Sequence, residues 1–92
     1  MAKVIKADGT EQLVRPARGR VFSLEELQDY CGGYVEKLHL YDGRLMWLNE
    51  MGKIYGLPIN AQATEIAEEA GVLLANDFIV GDVLLCSEED VY

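Results

Sequence analysis

The stretch from Tyr34 to Asn49 constrains the fold of this 92-residue chain more than any other. Tyr34 to Tyr41 is rich in β-branched, aromatic and leucine residues, and Asp42-Gly43 tolerates the positive φ angles of a reversing turn. Arg44-Leu45-Met46-Trp47-Leu48-Asn49 then returns, so the segment predicts an antiparallel hairpin. Its second strand offers apolar groups to both sides through Leu45, Met46, Trp47 and Leu48, the pattern of a strand inside a sheet whose two faces are at least partly covered. Glu50-Met51-Gly52 makes a further turn, and Lys53 to Leu57 reads as the third strand of a meander that Pro58 ends.

The flanking segments supply what such a sheet needs. Ala2 to Ala7 and Thr10 to Arg15 surround Asp8-Gly9, a second hairpin signal; Pro16 and Gly19 then break pairing, which makes the Thr10 strand the weaker of the two. Ser23 stands three residues before Glu26, and Phe22 and Leu27 occupy staple positions, so a capping box and a hydrophobic staple coincide at a helix start. Leu24, Leu27 and Cys31 share one face, and Gly32-Gly33 ends the helix. Asn60 is the N-cap of a second helix with Ala63, Ile66, Ala67 and Ala70 on its apolar face; Leu73 and Leu74 extend the stripe across Gly71, which carries the helix to Ala75 with Asn76 as terminator. Phe78 to Cys86 reads as the last strand, with Gly81-Asp82 as a bulge, followed by a frayed acidic tail. The expected architecture is α+β: one mainly antiparallel sheet of four to five strands with two short helices. The expected organisation is a single domain over 1–92, with a basic loop at 15–20 and an acidic tail at 87–92.

Half of the residues are apolar, enough to form a core, and the longest apolar runs are far shorter than the about 20 residues of a membrane span. No leader pattern opens the chain, so a soluble, cytoplasmic protein is expected. Cys31 and Cys86 are then expected as reduced, buried thiols. The net charge is −8, which repels phosphate backbones and argues against nucleic-acid binding through the whole surface. The average hides an asymmetry. Residues 1–20 carry Lys3, Lys6, Arg15, Arg18 and Arg20 against Asp8 and Glu11, a sum of +3, and the remainder sums to −11.

No catalytic set is legible. His39 is the one histidine and lies in an expected strand, so a nucleophile would lack an evident base. Three Cys and His residues scattered along the chain make no zinc site, and neither a Walker loop nor a dinucleotide fingerprint is present. No metal, cofactor or enzymatic activity is expected. Two features could hold an anion: the arginine loop, whose guanidinium forks suit phosphate, and the helix start from Asn60 to Thr64. Solvated arginines and a simple helix cap explain the same residues.

Cys31-Gly32-Gly33-Tyr34-Val35-Glu36, Asn49-Glu50-Met51-Gly52-Lys53, Gly56-Leu57-Pro58-Ile59-Asn60 with Ala63-Thr64, and Ile79-Val80-Gly81-Asp82-Val83 together resemble the domain of unknown function 3846. The likeness covers nearly the whole chain. It implies a small protein of a phage, plasmid or other mobile element, placed in the host cell cytoplasm if phage-encoded, a setting in which a stoichiometric counter-defence binder fits.

Three function classes follow. The first is a non-enzymatic binder that sequesters a small anionic, nucleotide-like ligand, with Arg15, Arg18 and Arg20 on phosphate, Asn60 and Thr64 at the helix start, and Tyr34 or Trp47 stacked on a base; Trp47 also reads as core. The second is a protein-interaction inhibitor of a host defence protein, whose acidic face of Glu65, Glu68, Glu69, Glu88, Glu89 and Asp90 imitates nucleic acid. The third, a hydrolase or transferase acting through Asp82 or His39, has no positive support. Homo-oligomerisation through the Lys3 to Ala7 strand stays open.

Overall fold

Asp8-Gly9 and Asp42-Gly43 each close a hairpin, and the fold grows from these two ribbons. In a computed structural model, which describes residues 2–91, the elements are β1 (Ala2–Ile5), β2 (Glu11–Val14), α1 (Leu24–Cys31), β3 (Val35–His39), β4 (Arg44–Asn49), α2 (Ala61–Glu69) and β5 (Val83–Ser87). Glu88–Asp90 adds one 3-10 turn. The chain forms one five-stranded sheet in the order β2-β1-β5-β4-β3, antiparallel throughout, so the fold is α+β. The last strand enters the middle and joins the two hairpins.

Register divides the side chains cleanly between two faces. Val4, Leu84, Trp47 and Lys37 form one cross-strand row, and Lys3, Leu85, Met46 and Leu38 form the neighbouring row on the opposite face. On the first face α1 packs Leu27 and Cys31 against Val4, Trp47, Leu84 and Cys86. Phe22, fully buried, meets Tyr30 edge to face at 6.2 Å between ring centroids. On the second face α2 lays Ala63 and Ala67 over Ile5, Met46, Leu48 and Val83. Burial of each large side chain contributes roughly 1.5–3 kcal/mol, so these two layers supply the main drive to fold.

The capping box of α1 forms as expected: Ser23 Oγ accepts from Glu26 N at 3.2 Å, and Glu26 Oε1 accepts from Ser23 N at 3.1 Å. Five other expectations need correction. β1 lies between β2 and β5, so the Lys3 to Ala7 segment is no free edge at which a second copy could pair. Lys53 to Leu57 is no strand. Gly56 takes φ +69°, and the bonds from Tyr55 N to Met51 O and from Leu57 N to Gly52 O curl the segment into successive turns. The fifth strand is instead β2, at the far edge.

Helix α2 does not reach Ala75. Gly71 adopts φ +73°, its N–H bonds Glu68 O and Val72 N bonds Ala67 O, the paired bonds of a Schellman stop. Asn76 takes the left-handed conformation in a later turn. The final strand starts at Val83, since Gly81 at φ +78° turns the chain after an isolated bridge from Val80 to Ile59. The acidic tail is tied down as far as Val91: Asp90 caps Ser87 N, Asp90 O accepts from Phe22 N at 2.8 Å, and Val91 bridges Phe22. The buried Phe22 backbone needs these partners, and the tail provides them.

Candidate binding cleft

Four motifs that are separate in sequence meet at one end of the sheet. Asn60 is buried and donates through Nδ2 to Ile5 O and Gly81 O, both at 2.9 Å, while its Oδ1 accepts from Ala63 N at 3.0 Å. Thr64 Oγ1 donates to Asn60 O at 2.8 Å and accepts from Ile79 N at 2.9 Å. Asn49, equally buried, donates to Cys31 O and accepts from Met51 N. Gly81 is needed twice over, for its positive φ and because a Cβ there would lie 2.9 Å from Leu57. These groups form a clasp that ties the start of α2, the Leu57–Pro58 corner and the entry to β5 to the sheet. Asn60 and Thr64 direct their polar atoms into the protein, as a capping side chain does.

The arginine loop lies on the other side of the sheet. Its Ala17 N–H donates to Glu26 Oε2 at 2.8 Å, which fastens the loop to the start of α1. Arg15 borders a hollow with Phe22 and Asp90, and Arg18 borders another with Glu25 and Glu26. Tyr34 is 71% exposed, whereas Trp47 is 7% exposed inside the α1 layer. The Lys37 ammonium stands 5.8 Å from the Trp47 ring centroid, and the indole N–H is buried without an oxygen or nitrogen acceptor among the described residues. Of the seven expected ligand residues, the structure joins Asn60 to Thr64 and keeps the three arginines along one loop. It does not bring these two groups together. The acidic residues divide likewise: Glu65, Glu68 and Glu69 ride on α2, and Glu88, Glu89 and Asp90 lie on the α1 side, where His39 Nδ1 stands 3.5 Å from Glu88.

The other reactive groups are quiet. Burial pushes the Cys31 thiol up to about 12 and the Cys86 thiol up to about 11, so both are protonated at neutral pH. Asp82 accepts from Ala7 N at 2.9 Å. Among the described residues, no group of three or more His, Cys, Asp and Glu side chains is placed to hold a metal ion.

A different feature arises from the early stop of α2. Beyond Gly71 the chain folds back over the β3–β4 end of the sheet and leaves a cleft of about 380 Å³. Leu38 and Leu48 form its floor, and Ile54, Leu73, Leu74 and Phe78 its walls. Ile54 is 75% and Leu74 81% exposed, so two of the walls present large apolar side chains to solvent beside the apolar floor. One wall is stiffened by Lys53, whose ammonium pairs with Asp77 and stands 5.0 Å from the Phe78 ring centroid. The Lys53 hydrogen bond, followed by that from Phe78 N, holds the Asp77 carboxyl below its ordinary range. Glu36 and Glu50 border the same cleft, and neither has an ion-pair partner among the described residues. The arrangement suits an apolar group that carries positive charge.

The family model described as Domain of unknown function (DUF3846) matches residues 2–91. The chain belongs to this family. The DUF3846 match covers all five strands and both helices, so clasp and cleft lie wholly within it. No curated protein and no solved structure matches the chain. Among the described residues, no helix of this DUF3846 protein is long and apolar enough to cross a membrane.

The cleft has no counterpart in the sequence pattern, which gives each wall residue to a regular element. Ile54 reads as part of a third meander strand, Leu73 and Leu74 as part of the α2 stripe, and Phe78 as part of the last strand. The signal that could have found it is Gly71 followed directly by Val72-Leu73-Leu74, since a helix that stops at the glycine strands three apolar residues beyond its end.

Proposed function

We propose that this protein is a non-catalytic binder that engages a target protein through the cleft beside β3. The observation that carries the reading is an apolar hollow walled by exposed Ile54 and Leu74 and bordered by the carboxylates of Glu36 and Glu50, which have no ion-pair partner among the described residues. Apolar contact provides affinity there, and the acidic border selects a basic partner. In the phage or mobile-element setting that the family resemblance implies, blockade of a host defence protein is the fitting role, because occupying a surface needs no chemistry.

Sequestration of a small nucleotide-like anion has less support. Its phosphates would be held by Arg15 and Arg18, yet Asp90, Glu25 and Glu26 border the same hollows and would repel them.

The test displays a random peptide library to the immobilised wild type and to an Ile54→Ser/Leu74→Ser double variant with unchanged unfolding midpoint. Wild type is expected to enrich peptides that combine apolar and basic residues, and the variant to enrich none of them. Equal enrichment by both proteins, or calorimetric heat from cyclic or ADP-ribose nucleotides at millimolar concentration, would overturn the reading.

A further inference from the structure

We propose that the partner segment is an extended peptide that adds to β3 as a sixth strand and carries both apolar and basic side chains at the alternate positions that face the cleft. This rests on the cleft reading above and adds the backbone half of the contact. β3 is an edge of the sheet. Its pairing with β4 is bracketed by bonds from Glu50 N to Tyr34 O at 2.8 Å and from Leu40 N to Arg44 O at 3.1 Å. In an antiparallel ladder the bonded pairs recur every second residue, so Glu36 and Leu38 also face β4. Val35, Lys37 and His39 therefore aim their N–H and C=O groups away from the sheet, three consecutive sites for an added strand.

The opposite edge is poorer. The bond from Lys6 N to Thr10 O at 2.9 Å sets the same alternation in β2, which leaves only Glu11 and Leu13 facing outward. The Glu11 carboxylate is already engaged by Lys3 and Gln62, and Pro16 follows two residues after the strand.

At β3 the free backbone and the cleft are continuous, since Glu36 and Leu38 belong to the strand and border the hollow. A strand laid about 4.8 Å outside β3 places every second side chain on the cleft side. On that side its apolar residues meet Leu38 and the cleft walls, and its basic residues meet Glu36, which shares a face with Leu38, and Glu50. Charge decides between occupants. A second copy of the chain would bring another −8 to the interface. The symmetric antiparallel register that uses all three outward sites would also set Lys37 opposite Lys37, an unfavourable like-charge pair. A basic peptide meets neither obstacle. Charged residues on an edge strand ordinarily guard it against indiscriminate pairing, and Glu36 serves that purpose while admitting a partner of opposite sign.

The probe is a synthetic peptide of about ten residues in which leucine or valine and arginine take turns at every second position and threonine fills the positions between, long enough to span the edge strand. Calorimetry and backbone amide hydrogen exchange are read together on the whole protein. The arginine peptide is expected to bind and to slow exchange at Val35, Lys37 and His39. Glu36→Lys/Glu50→Lys is expected to weaken binding by about tenfold or more, and a peptide with glutamate in place of arginine to bind no better than background. Failure of the arginine peptide to bind overturns the proposal. Binding that is lost in Ile54→Ser/Leu74→Ser but leaves those three amides unprotected overturns strand addition and spares the cleft. Protection of the three amides with undiminished affinity in that double variant supports strand addition and overturns the cleft reading.

Discussion

The two faces of the sheet each receive one short helix, yet they are covered to different depths. On the α1 face, large side chains do the covering: Phe22 and Leu27 are fully buried, and the Val91 bridge to Phe22 closes the rim. On the α2 face the helix meets the sheet through Ala63 and Ala67. Alanines let the helix approach closely over Ile5, Met46 and Val83, but they fill little volume, and the Gly71 stop ends the cover short of the β3 edge. One face is sealed by bulk. The other is pinned at one end by the Asn60 clasp and left open at the other, where Leu73, Leu74 and Phe78 stand beside Leu38 as cleft walls. A sheet protein of this size can thus keep its stability on one side and a binding surface on the other.

If that division holds, the largest loss comes from the sealed face. Phe22→Ala is expected to cost about 3–5 kcal/mol, measured by urea unfolding, because it empties a site that α1, the sheet and the tail all enclose. A cost under about 1 kcal/mol would mean that this face collapses readily and is no better packed than its opposite. Asn60→Ala comes next and tests the pin. It removes a helix cap and leaves Ile5 O and Gly81 O without their donor, for a total of about 2–4 kcal/mol. Hydrogen exchange should show the loss first in α2, with α1 still protected.

The third test concerns the start of α1. Ser23→Ala is expected to cost about 1 kcal/mol through the lost cap. The Ala17 N–H, and after it the Ser23 N–H, hold the Glu26 carboxyl below its ordinary 4.5. A carboxylate favoured in the folded state stabilises it above the unfolded value, and that stability disappears as pH falls through the folded value. Unfolding midpoints followed downward from about pH 5 should therefore fall less steeply in Glu26→Gln than in wild type. Equal slopes would show that the arginine loop is not fastened to α1.

How much of this division the sequence could reveal depended on the range of the interactions. The capping box at Ser23, the two Asp-Gly hairpins and the Gly32 stop are set by residues within a few positions of each other, and all four stand in the structure. The placement of β5 between β1 and β4 depends on pairing across most of the chain length, which no local pattern encodes. Lys53 to Leu57 shows the opposite failure. Its alternation suits a strand, but Gly52 and Gly56 let the backbone satisfy itself through local turns. Asn60 was legible as a cap through Ala63, whereas its bonds to Ile5 and Gly81 were not, because both partners arrive from distant elements. The cleft was least legible of all, since it results from where α2 stops rather than from a motif.

The smallest expected effect is also the one that separates the faces most sharply. Ile54→Ser and Leu74→Ser remove apolar surface that is already 75% and 81% exposed. Each is therefore expected to change stability by no more than about 0.5 kcal/mol, against several for Phe22. The serines leave no void, as solvent already reaches both side chains, and the Lys53 contact that stiffens the neighbouring wall involves Asp77 and Phe78 instead. Urea unfolding of each single variant is a sufficient measurement. A loss above about 1 kcal/mol in either would show that these side chains hold residues 70–80 against the sheet, so that the apparent opening is part of the core and the two faces do not differ in kind.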